Sequence, residues 1–549
     1  MRGRGSPPRP PPVPTPRQGP DGPDSVASVR DQAHPGPDPG PRVRVSRRSL
    51  LAGAAATGLA AVGLRAAVGS DAYAATATGL GPGGAILPPG TLPHPHLPAG
   101  TDTLPKIEHI VVLMMENHSF DDHLGTLGRG DGLTLGRDGH PVNYNPDPAG
   151  GFVRSFRNPN TCGEAHSGIG QDWNKSHISW DNGTNQGFVK ACGGASMGYW
   201  TGDDLPFYHS MARQFPIGDR YFSSVMAQTY PNRRFLIAGT ALGNISTDVT
   251  GISTADAPNG TIFDRLNRYG ISWKNYYPDV PTCALFEPVL FNNRDKAVHV
   301  SQFFLDAASG NLPNFSLVDP YTNYSEEDGD ITVGEGYAAL VVDAVLHGPD
   351  WSKTALIWVY DEHGGWYDHV PPRPAVKPDN VPPDLAAGDL PGAYDYTGFR
   401  VPCCVVSPWA KKGYVSHQSF DHTSILKLIE TKWNLPALTY RDANAHDMLD
   451  FFDFTTDRPP FAEPPDLRAA KNPFSSPAAL PANSLSATDL AQFHPICTDL
   501  PSGSLPPAEA RVPSPPARAD ALLAAQQQVI ARQTRAQDAA RAGVRPVRR

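Results

Sequence analysis

Three apolar runs predict strands that are buried on both faces of a sheet. The first is KIEHIVVLMMEN at residues 106–117, the second is TALIWVYDEHGG at 354–365, and the third is RVPCCVVSPW at 400–409. Continuous runs of this length, rich in β-branched residues, are typical of strands in a parallel sheet. Each run ends in polar, Gly or Pro residues, so the pattern also predicts where the strands stop.

Two further segments show the spacing of helices. EGYAALVVDAVLHG at 335–348 and DHTSILKLIETKWN at 421–434 repeat apolar residues at helical intervals. Strands that alternate with helices predict an α/β fold in which helices cover a central sheet. Sheets of this kind place their functional sites at the carboxyl ends of the strands.

The first two runs end in residues whose side chains carry oxygen. Glu116 and Asn117 follow the first run, and Asp361 and Glu362 follow the apolar part of the second. Carboxylates that converge repel each other unless a cation lies among them or one is protonated. Oxygen ligands suit a hard divalent ion such as Mg²⁺, Ca²⁺ or Mn²⁺. These residues therefore predict a metal site, and the alternative is that each pair caps a following helix.

The segment SSVMAQTYPNRRFLIAGT predicts a helix with a hydroxyl group at its start. Pro231 favours the first turn of a helix that continues to about Ala238. Thr229 is expected just before the amino terminus, where free N–H groups and the helix dipole favour a phosphate. A metal-bound hydroxyl loses its proton readily, so Thr229 is a candidate nucleophile, and Asn232 and Arg233 are candidates to hold phosphoryl oxygens. The alternative for Thr229 is a plain N-cap.

The first 74 residues have the composition of a disordered leader followed by an export signal. A Pro-, Gly- and Arg-rich stretch is followed by Arg47-Arg48, a short segment rich in Ala, Gly and Leu, and Ala72-Tyr73-Ala74. This order is typical of a cleaved twin-arginine signal peptide. The apolar segment is short, which disfavours the alternative of a transmembrane anchor. We therefore expect a secreted or cell-envelope protein that uses the twin-arginine export machinery.

The rest of the chain divides into three parts by composition. Residues 75–104 form a predicted Gly/Pro linker, residues 105–497 a predicted catalytic domain, and residues 498–549 a Pro-rich and then basic tail. The tail contains ADALLAAQQQVIARQTRAQDAAR, which predicts an amphipathic helix. Such a helix either makes a peripheral contact with a membrane or cell wall, or remains exposed at a frayed end.

The charge balance disfavours nucleic acid as a partner. The chain has a net charge of −9, and removal of residues 1–74, which hold ten Arg and five Asp, leaves −14. An acidic body repels a phosphate backbone. The six cysteines include no CxxC pair, which disfavours a structural zinc site, and one or two disulfides are expected outside the cell.

Four motifs together resemble the bacterial phosphoesterase family of the alkaline-phosphatase superfamily, which holds the non-haemolytic phospholipases C and a group of acid phosphatases. They are LMMENHSFDDHLG, TYPNRRF, YDEHGGWYDHVPPR and SPWAKKGYVSHQSFDHTSILKLIE, in the family's order between about Lys106 and Phe454. The resemblance implies an alkaline-phosphatase-like α/β fold, a three-layer α/β/α sandwich with a mostly parallel central sheet. It also implies one or more divalent metal ions and transfer of a phosphoryl group through a Ser or Thr of the enzyme.

The resemblance also implies roles for individual residues. The implied metal ligands are Glu116, Asn117, Thr229, Asp361 and Glu362. Thr229 is in addition the implied nucleophile, and the identity of the metal ion stays open. Three histidines are expected in a second layer around these ligands, namely His363, His369 and His422. The alternative for His422 is a capping role at the start of a helix.

The chain departs from the family pattern at the proton donor for the leaving group. Similar proteins carry an Asp-x-x-His-x-Trp element, whereas here Gln171 takes the histidine position ahead of Trp173, and both are expected on the substrate side. His166 and His177 lie nearby in sequence, and either is a candidate general acid, a role worth about 100- to 10,000-fold in rate. A second family histidine is missing from NYSEEDGDITVGEGY.

These features predict a hydrolase that cleaves phosphoric esters through a phospho-threonine intermediate. The first expectation is a phospholipase C that acts on phospholipid headgroup esters, and the second is an acid phosphomonoesterase of the same family. The substrate is accordingly a phospholipid or a small phosphate ester. The two missing histidines leave a third possibility, an inactive binding protein on the hydrolase fold, although the intact ligand residues argue against it.

Overall fold

The computed structural model describes residues 85–162, 169–247, 256–321, 330–474, 476–480 and 506–541. The predicted leader and signal peptide at 1–74 and the candidate acid His166 lie outside the described residues. All the other candidate site residues are described.

An eight-stranded sheet forms the centre of the described structure. Its strands are β1 His109–Met115, β2 Ile217–Gly218, β3 Trp273–Tyr277, β4 Ala297–His299, β5 Phe315–Val318, β6 Thr354–Tyr360, β7 Cys403–Val406 and β8 Val415–Ser416. The order across the sheet is β8-β2-β7-β6-β1-β5-β3-β4. Five neighbouring pairs are parallel, and within this sheet only β7 runs antiparallel to its two neighbours.

The α-helices flank this sheet. They are α1 Phe120–Leu124, α2 Trp173–Trp180, α3 Phe188–Cys192, α4 Pro206–Gln214, α5 Thr229–Ala238, α6 Ile262–Arg268, α7 Glu287–Asn292, α8 Ser301–Ser309, α9 Ile331–Leu346, α10 His422–Trp433, α11 Tyr440–Ala443 and α12 Ala519–Arg541. Short 3-10 turns occupy Asp181–Gly183, Gly194–Met197, Thr282–Leu285, Trp351–Lys353, Leu449–Phe451, Pro477–Ala479 and Ala508–Ala510. The helices α9 and α10 confirm the two predicted from apolar spacing.

Burial of the central strands confirms the layered prediction. Every residue of β1 and of β6 is buried. Because successive side chains of a strand point to opposite faces, complete burial means that both faces of the sheet are covered. The fold is therefore a three-layer α/β/α sandwich with a mostly parallel central sheet.

The third apolar run forms a strand whose direction differs from the prediction. β7 is antiparallel to β6, with Val406 opposite Leu356 and Cys403 opposite Val359. The polar residues that follow β7 therefore lie at the opposite edge of the sheet from those that follow β6. Only the first two runs deliver their ends to one place.

Two smaller sheets lie outside the central one. Strand Phe152–Arg154 pairs antiparallel with Tyr144–Pro146 on one side and with Arg511–Val512 on the other. Strand Phe156–Arg157 pairs parallel with Gly198–Tyr199. The first of these sheets joins the carboxyl-terminal segment to the rest of the fold.

The segment predicted as a linker is bonded to the domain along its described residues 85–104. Asn434, at the end of α10, donates from Nδ2 to the carbonyl oxygens of His94 (3.1 Å) and Leu97 (3.0 Å). The N–H of His94 donates in return to Asn434 Oδ1 at 2.9 Å. These residues contain no helix or strand, yet they pack against the domain and do not form a free linker.

The predicted tail helix is present as α12 and packs on the domain. Ile530 is 4% exposed, and Gln526 donates from Nε2 to Asp131 Oδ1 at 2.6 Å. Gln537 donates from Nε2 to the Val415 carbonyl at 2.8 Å. The inner side of the helix is thus used within the chain. No helix in the described part of the chain is long and apolar enough to cross a membrane.

The described cysteines show both oxidised and reduced sulfur. Cys162 is bonded in a disulfide. The free thiols, all buried, are Cys192, Cys283, Cys403 and Cys404.

Candidate active site

The register of two parallel strands brings the predicted ligands together. Met115 at the end of β1 pairs with Tyr360 at the end of β6, so the residues that follow emerge side by side. The Asn117 N–H donates to Asp361 Oδ1 at 3.1 Å. The apolar runs therefore end in polar residues at one edge of the sheet because parallel strands stop at the same edge.

Asn117 has an unusual backbone conformation at this edge. Its φ of 67° lies in the left-handed region, which is sparsely populated by residues other than glycine. The residue is fully buried, and its Nδ2 has no hydrogen-bond partner among the described residues. A strained, buried residue with an unused polar atom is typical of a functional position.

Thr229 reaches the same place from α5. Its Oγ1 donates to Glu116 Oε1 at 3.0 Å and lies 3.4 Å from Asn117 Oδ1. Thr229 is the first residue of the helix, and the N-cap position belongs to Gln228. The predicted position just before the helix is thus shifted by one residue, within the usual uncertainty of helix ends. The alternative of a plain N-cap is not what the structure shows, because the hydroxyl points to Glu116.

Arg233 lies among the carboxyl groups. Its Nε donates to Asp361 Oδ2 at 3.0 Å, and its Nη1 lies 3.3 Å from Asp319 Oδ1. Its Nη2 lies 3.9 Å from Glu116 Oε2. The side chain is only 7% exposed. These ion pairs hold the guanidinium within the chain, and its predicted contact with phosphoryl oxygens stays a prediction.

Asn232 also bonds only to its own chain in the described structure. Its Oδ1 accepts from the N–H groups of Ser224 (2.8 Å) and Val225 (3.1 Å). Its Nδ2 donates to the carbonyl oxygens of Val225 (3.2 Å) and Ala227 (2.9 Å). These bonds occupy the amide and fix the loop that leads into Thr229, so a positioning role replaces the predicted phosphate contact.

The electrostatics of these groups fit a bound cation. Burial raises the pKa of Asp361, Arg233 lowers it in part and Glu116 raises it again, with the result at about 7. Glu116, Asp319 and Asp361 share one guanidinium, so negative charge remains in excess. The oxygens of Glu116, Asn117, Thr229 and Asp361 are the donors that hard divalent ions prefer. By charge and by donor type these residues fit such an ion.

Glu362 follows Asp361 and is fully buried. Its Oε2 accepts from the Gly364 N–H at 2.8 Å and lies 3.1 Å from His363 Nδ1. Among the described residues, two trios of His and Asp bring their ligand atoms within 4.8 Å of one another, and neither contains Glu116, Asp361 or, in particular, Glu362. Its predicted role as a ligand therefore stays a prediction.

Two of the three predicted outer histidines lie beside the ligand residues. His422 Nε2 donates to the carbonyl oxygen of Asp361 at 2.6 Å, and the Tyr221 hydroxyl donates to His422 Nδ1 at 3.2 Å. Burial lowers the pKa of His422 to about 4 and that of His363 to about 3, so both rings are neutral. The structure thus brings His422 to Asp361 and His363 to Glu362.

His369 belongs to a different cluster. Its Nδ1 lies 2.7 Å from Asp121 Oδ2 and its Nε2 lies 3.2 Å from Asp131 Oδ1. Burial opposes its charge, but the two aspartates outweigh burial and raise the pKa of His369 to about 10. The prediction that His369 supports the metal ligands is therefore corrected, since its bonds hold Asp121 and Asp131.

This second cluster is a buried ion network. Arg400 donates to Asp368 Oδ1 at 2.9 Å and to Asp121 Oδ1 at 3.0 Å. One of the two trios with metal-ligand spacing, Asp121, Asp368 and His369, lies within it. Because Arg400 and the charged His369 already face these aspartates, the network has its counter-charges. The other trio consists of His118, Asp122 and His123, all buried next to the aromatic rings of Trp200 and Trp366.

One of the predicted substrate-side residues packs against the segment that leads into Thr229. Trp173 is 2% exposed and packs in a cluster with Val225 and Ala227, which precede Thr229. His177 donates from Nδ1 to the Trp173 carbonyl at 2.7 Å, and burial lowers its pKa. No hydrogen bond in the described structure joins His177 to Thr229. Its predicted role as the acid stays a prediction, as does that of Gln171, which is 8% exposed.

Asp319 is a site residue that was not predicted. It directly follows β5, the other parallel neighbour of β1. Its Oδ1 accepts from the Thr282 hydroxyl at 2.6 Å, and its Oδ2 accepts from Asn275 Nδ2 at 2.7 Å. The segment NFSLVDP shows the signal that could have found it, an apolar run that ends in an acid.

Comparison with known proteins agrees with this geometry. The sequence model of the Phosphoesterase family matches residues 107–436, more than half of the chain. The chain belongs to this family. The family consists of hydrolases that act on phosphoric esters, and its match covers every residue of the candidate site.

Curated relatives of this phosphoesterase carry phospholipase C names. Non-hemolytic phospholipase C of Pseudomonas aeruginosa is 31% identical over 433 residues, which cover 69% of this chain and 62% of that protein. Phospholipase C B of Mycobacterium tuberculosis is 32% identical over 66% of this chain and 80% of that protein. Non-specific phospholipase C1 of Arabidopsis thaliana is 32% identical over 63% and 71%. The chain thus spans less than two thirds of the Pseudomonas enzyme.

Among solved structures, a protein in the alkaline phosphatase superfamily from Vibrio parahaemolyticus matches with a TM-score of 0.34 and 10% identity. The match covers 64% of this chain and 71% of that chain.

Proposed function

We propose that this phosphoesterase is an exported, metal-dependent phospholipase C that cleaves phospholipid headgroup esters with Thr229 as its nucleophile. The observation that carries the proposal is the hydrogen bond from Thr229 Oγ1 to Glu116 Oε1 at 3.0 Å. It joins a hydroxyl at a helix amino terminus to the carboxyl group that follows β1. The phospholipase C names of the relatives support the choice of substrate class.

The chain's own residues account for the first half of the reaction. Thr229 Oγ1 forms a bond to phosphorus while the bond from phosphorus to the leaving alkoxide oxygen breaks. The hydroxyl proton already lies on the hydrogen bond to Glu116 Oε1, so Glu116 is placed to accept it. The amino terminus of α5 offers its positive dipole end to the phosphoryl oxygens. The leaving alkoxide takes a proton and departs as an alcohol. In the second half, water attacks phosphorus, the bond from phosphorus to Thr229 Oγ1 breaks, and one proton of the water passes to Oγ1 by way of Glu116.

A divalent ion is the proposed cofactor, with Mg²⁺, Ca²⁺ and Mn²⁺ as candidates. The oxygens of Glu116, Asn117, Thr229 and Asp361 would hold it, with Glu362 as the further predicted ligand. Such an ion lowers the pKa of a bound hydroxyl and stabilises the negative charge of the phosphoryl group. His422 helps to fix Asp361, since its Nε2 donates a hydrogen bond to the Asp361 carbonyl oxygen.

Export and membrane contact are part of the proposal. The twin-arginine pattern at Arg47-Arg48 supports export, and the disulfide at Cys162 supports an oxidising compartment, because disulfides persist outside the cytosol. The inner side of α12 is used within the domain, which leaves exposed Arg532 and Arg535 for an anionic surface. Peripheral contact with a membrane or cell wall is therefore proposed through charge instead of an apolar stripe.

Two chromogenic esters test the function. Purified enzyme is assayed on p-nitrophenylphosphorylcholine and on p-nitrophenyl phosphate, with added Mn²⁺ and with a chelator. We expect metal-dependent turnover of the diester and little turnover of the monoester. Turnover of the monoester alone would replace phospholipase C with an acid phosphomonoesterase. Turnover of neither ester, with metal supplied, would support the inactive binding protein.

Variants of the nucleophile complete the test. Thr229→Val removes the hydroxyl at nearly constant volume, and we expect a loss of at least about 1,000-fold in kcat. Thr229→Ser keeps the hydroxyl and is the matched control, with measurable activity expected. Equal activity of Thr229→Val and the wild type would overturn the proposed chemistry.

A further inference from the structure

His422 bonds both to the loop that carries Asp361 and to the loop that leads into Thr229. Its ring Nε2 donates to the Asp361 carbonyl oxygen at 2.6 Å. Its backbone N–H donates to Ser224 Oγ at 3.2 Å. Asp361 directly follows β6, and Ser224 lies in the segment just ahead of α5. One residue therefore joins two parts of the candidate site that are far apart in the chain.

The hydrogen bonds continue from Ser224 to the nucleophile. The Ser224 N–H donates to Asn232 Oδ1 at 2.8 Å, and Asn232 Nδ2 donates to the Gln228 carbonyl oxygen at 3.1 Å. Gln228 is the N-cap residue of α5 and immediately precedes Thr229. The series of bonds that starts at His422 thus reaches the residue next to the candidate nucleophile.

Tyr221 holds the His422 ring on its other side. The Tyr221 hydroxyl donates to His422 Nδ1 at 3.2 Å, and both residues are 0% exposed. The Asp361 carbonyl oxygen can only accept, so in the neutral ring Nε2 carries the proton and Nδ1 is the acceptor. Because both ring nitrogens already bond within the chain, His422 has a positioning role and not a role in proton transfer to a substrate.

The start of α10 is fixed without the His422 ring. Asp421 occupies the N-cap position, and its side chain accepts from the Thr423 N–H at 2.8 Å. Arg441 Nε donates to the same carboxylate at 2.8 Å. The predicted alternative of a capping role therefore falls to Asp421, and the bond from the His422 ring to Asp361 is additional to what the helix needs.

We infer that His422 is a positioning residue that sets the place of the Thr229 hydroxyl relative to the Asp361 carboxyl group. The register of β1 and β6 fixes Glu116 and Asp361 relative to each other, whereas Thr229 lies outside the sheet, at the start of α5. In-line attack on phosphorus depends on this placement, and a shift of about 1 Å can cost about 100-fold in rate. The inference rests on the proposed function for the role of Thr229 as the nucleophile.

Two substitutions of His422 separate its hydrogen bond from its bulk. His422→Leu keeps a similar volume and removes the donor to the Asp361 carbonyl, and we expect kcat to fall about 100-fold with KM within about twofold. His422→Gln offers an amide N–H at a similar reach and should recover at least about 10-fold of this loss. A role in packing alone predicts the opposite order, because a polar amide is costly where it finds no partner.

Two further variants act on the other partners of His422. Ser224→Ala removes the acceptor of the His422 N–H, and Tyr221→Phe removes the hydroxyl that holds the ring. Each should lower kcat by about 5- to 10-fold with KM unchanged. Tyr276→Phe is the matched control, since Tyr276 is also 0% exposed but its hydroxyl donates to Asp306 Oδ2, on α8, at 2.6 Å. We expect its kcat within about twofold of the wild type. The assay is hydrolysis of p-nitrophenylphosphorylcholine with Mn²⁺.

Amide hydrogen exchange of the metal-free full chain gives a readout that does not depend on activity. In His422→Leu we expect faster exchange both in residues 223–228, ahead of Thr229, and in residues 361–366, after β6. In Tyr276→Phe both segments should exchange as in the wild type. A role limited to the start of α10 predicts faster exchange in residues 422–426 alone.

Three results overturn the inference: a folded His422→Leu with kcat within about threefold of the wild type, a His422→Gln no more active than His422→Leu, or faster exchange confined to residues 422–426. If His422→Leu does not fold, Ser224→Ala decides, and an unchanged kcat in that variant overturns the inference. A wild-type chain that hydrolyses neither chromogenic ester would instead overturn the proposed function, and the exchange experiment would then decide whether His422 couples the two loops.

Discussion

Replacement of Asn117 by Gly should make the metal-free protein more stable while it removes activity. Asn117 has φ at 67°, is fully buried, and has an Nδ2 without a hydrogen-bond partner among the described residues. Left-handed backbone costs a residue with a Cβ about 1–2 kcal/mol, and less for Asn. An unsatisfied buried donor costs about 1–3 kcal/mol. Both costs are expected in the wild type without metal.

The expected change in the free energy of unfolding follows from the costs of the backbone and of the unsatisfied donor. Asn117→Gly removes the donor and relieves the backbone, and the added freedom of Gly in the unfolded chain offsets about 0.5–1 kcal/mol. The net expectation is a gain of about 1–2 kcal/mol in the free energy of unfolding, since the donor term is the larger. Asn117→Ala removes the same amide but keeps the left-handed backbone, so it should lie about 1 kcal/mol below Asn117→Gly.

Metal should close most of this difference in stability, because the wild type alone keeps the Oδ1 ligand. An ion at 100 times its Kd stabilises the native state by about 2.7 kcal/mol, and a tenfold weaker site gains only about 1.4 kcal/mol. Urea unfolding measures the difference in stability between the wild type and the variants, once with chelator and once with Mn²⁺. Hydrolysis of a chromogenic diester measures activity. A metal-free Asn117→Gly that is less stable than the wild type would refute the reasoning on strain. Full activity of either variant would refute the role of Asn117 as a ligand.

Three other predictions concern charge and burial. In the metal-free protein, Asp361 has a folded pKa raised to about 7 against 3.8 in the unfolded chain, so the folded state holds the extra proton between these values. Stability should therefore fall as pH rises from about 4 to 7 in chelator, and Asp361→Asn should flatten this slope in a denaturation series. Arg400→Met removes the guanidinium that pairs with Asp368 and should cost about 3–5 kcal/mol by urea unfolding, with KM unchanged where the variant folds. Gln526→Ala should speed amide exchange in α12 without a change in kcat, since its bond to Asp131 lies in that separate network.

The strands that carry the site were predictable because their signal is local. Continuous apolar runs marked β1 and β6, and both runs ended at the acids that the structure brings together. The antiparallel direction of β7 was not predictable in the same way, since its residues are as apolar as those of a parallel strand. Direction depends on the path of the chain between strands, and no periodicity records that path.

The partners of the outer histidines were likewise not predictable from local sequence. His363 and His369 are six residues apart in one loop, and no pattern in their neighbourhood distinguishes their roles. The structure places His363 beside Glu362 and His369 between Asp121 and Asp131. Side chains in an irregular loop point wherever their partners lie, so spacing carries little information there.

The position of Arg233 was predictable in part, since its place on the helix follows from spacing whereas the partners of its side chain do not. Thr229 and Arg233 are four residues apart in α5, so helix geometry alone places them on one face, one turn from each other. Whether that face presents Arg233 to a substrate or to the sheet depends on how the helix packs against the strand ends. Because the first residue of α5 meets Glu116, the next turn lies deeper, beside Asp361 and Asp319. A cation at that depth neutralises one of the three carboxylates permanently, and the negative charge that remains in excess is what a metal ion would meet.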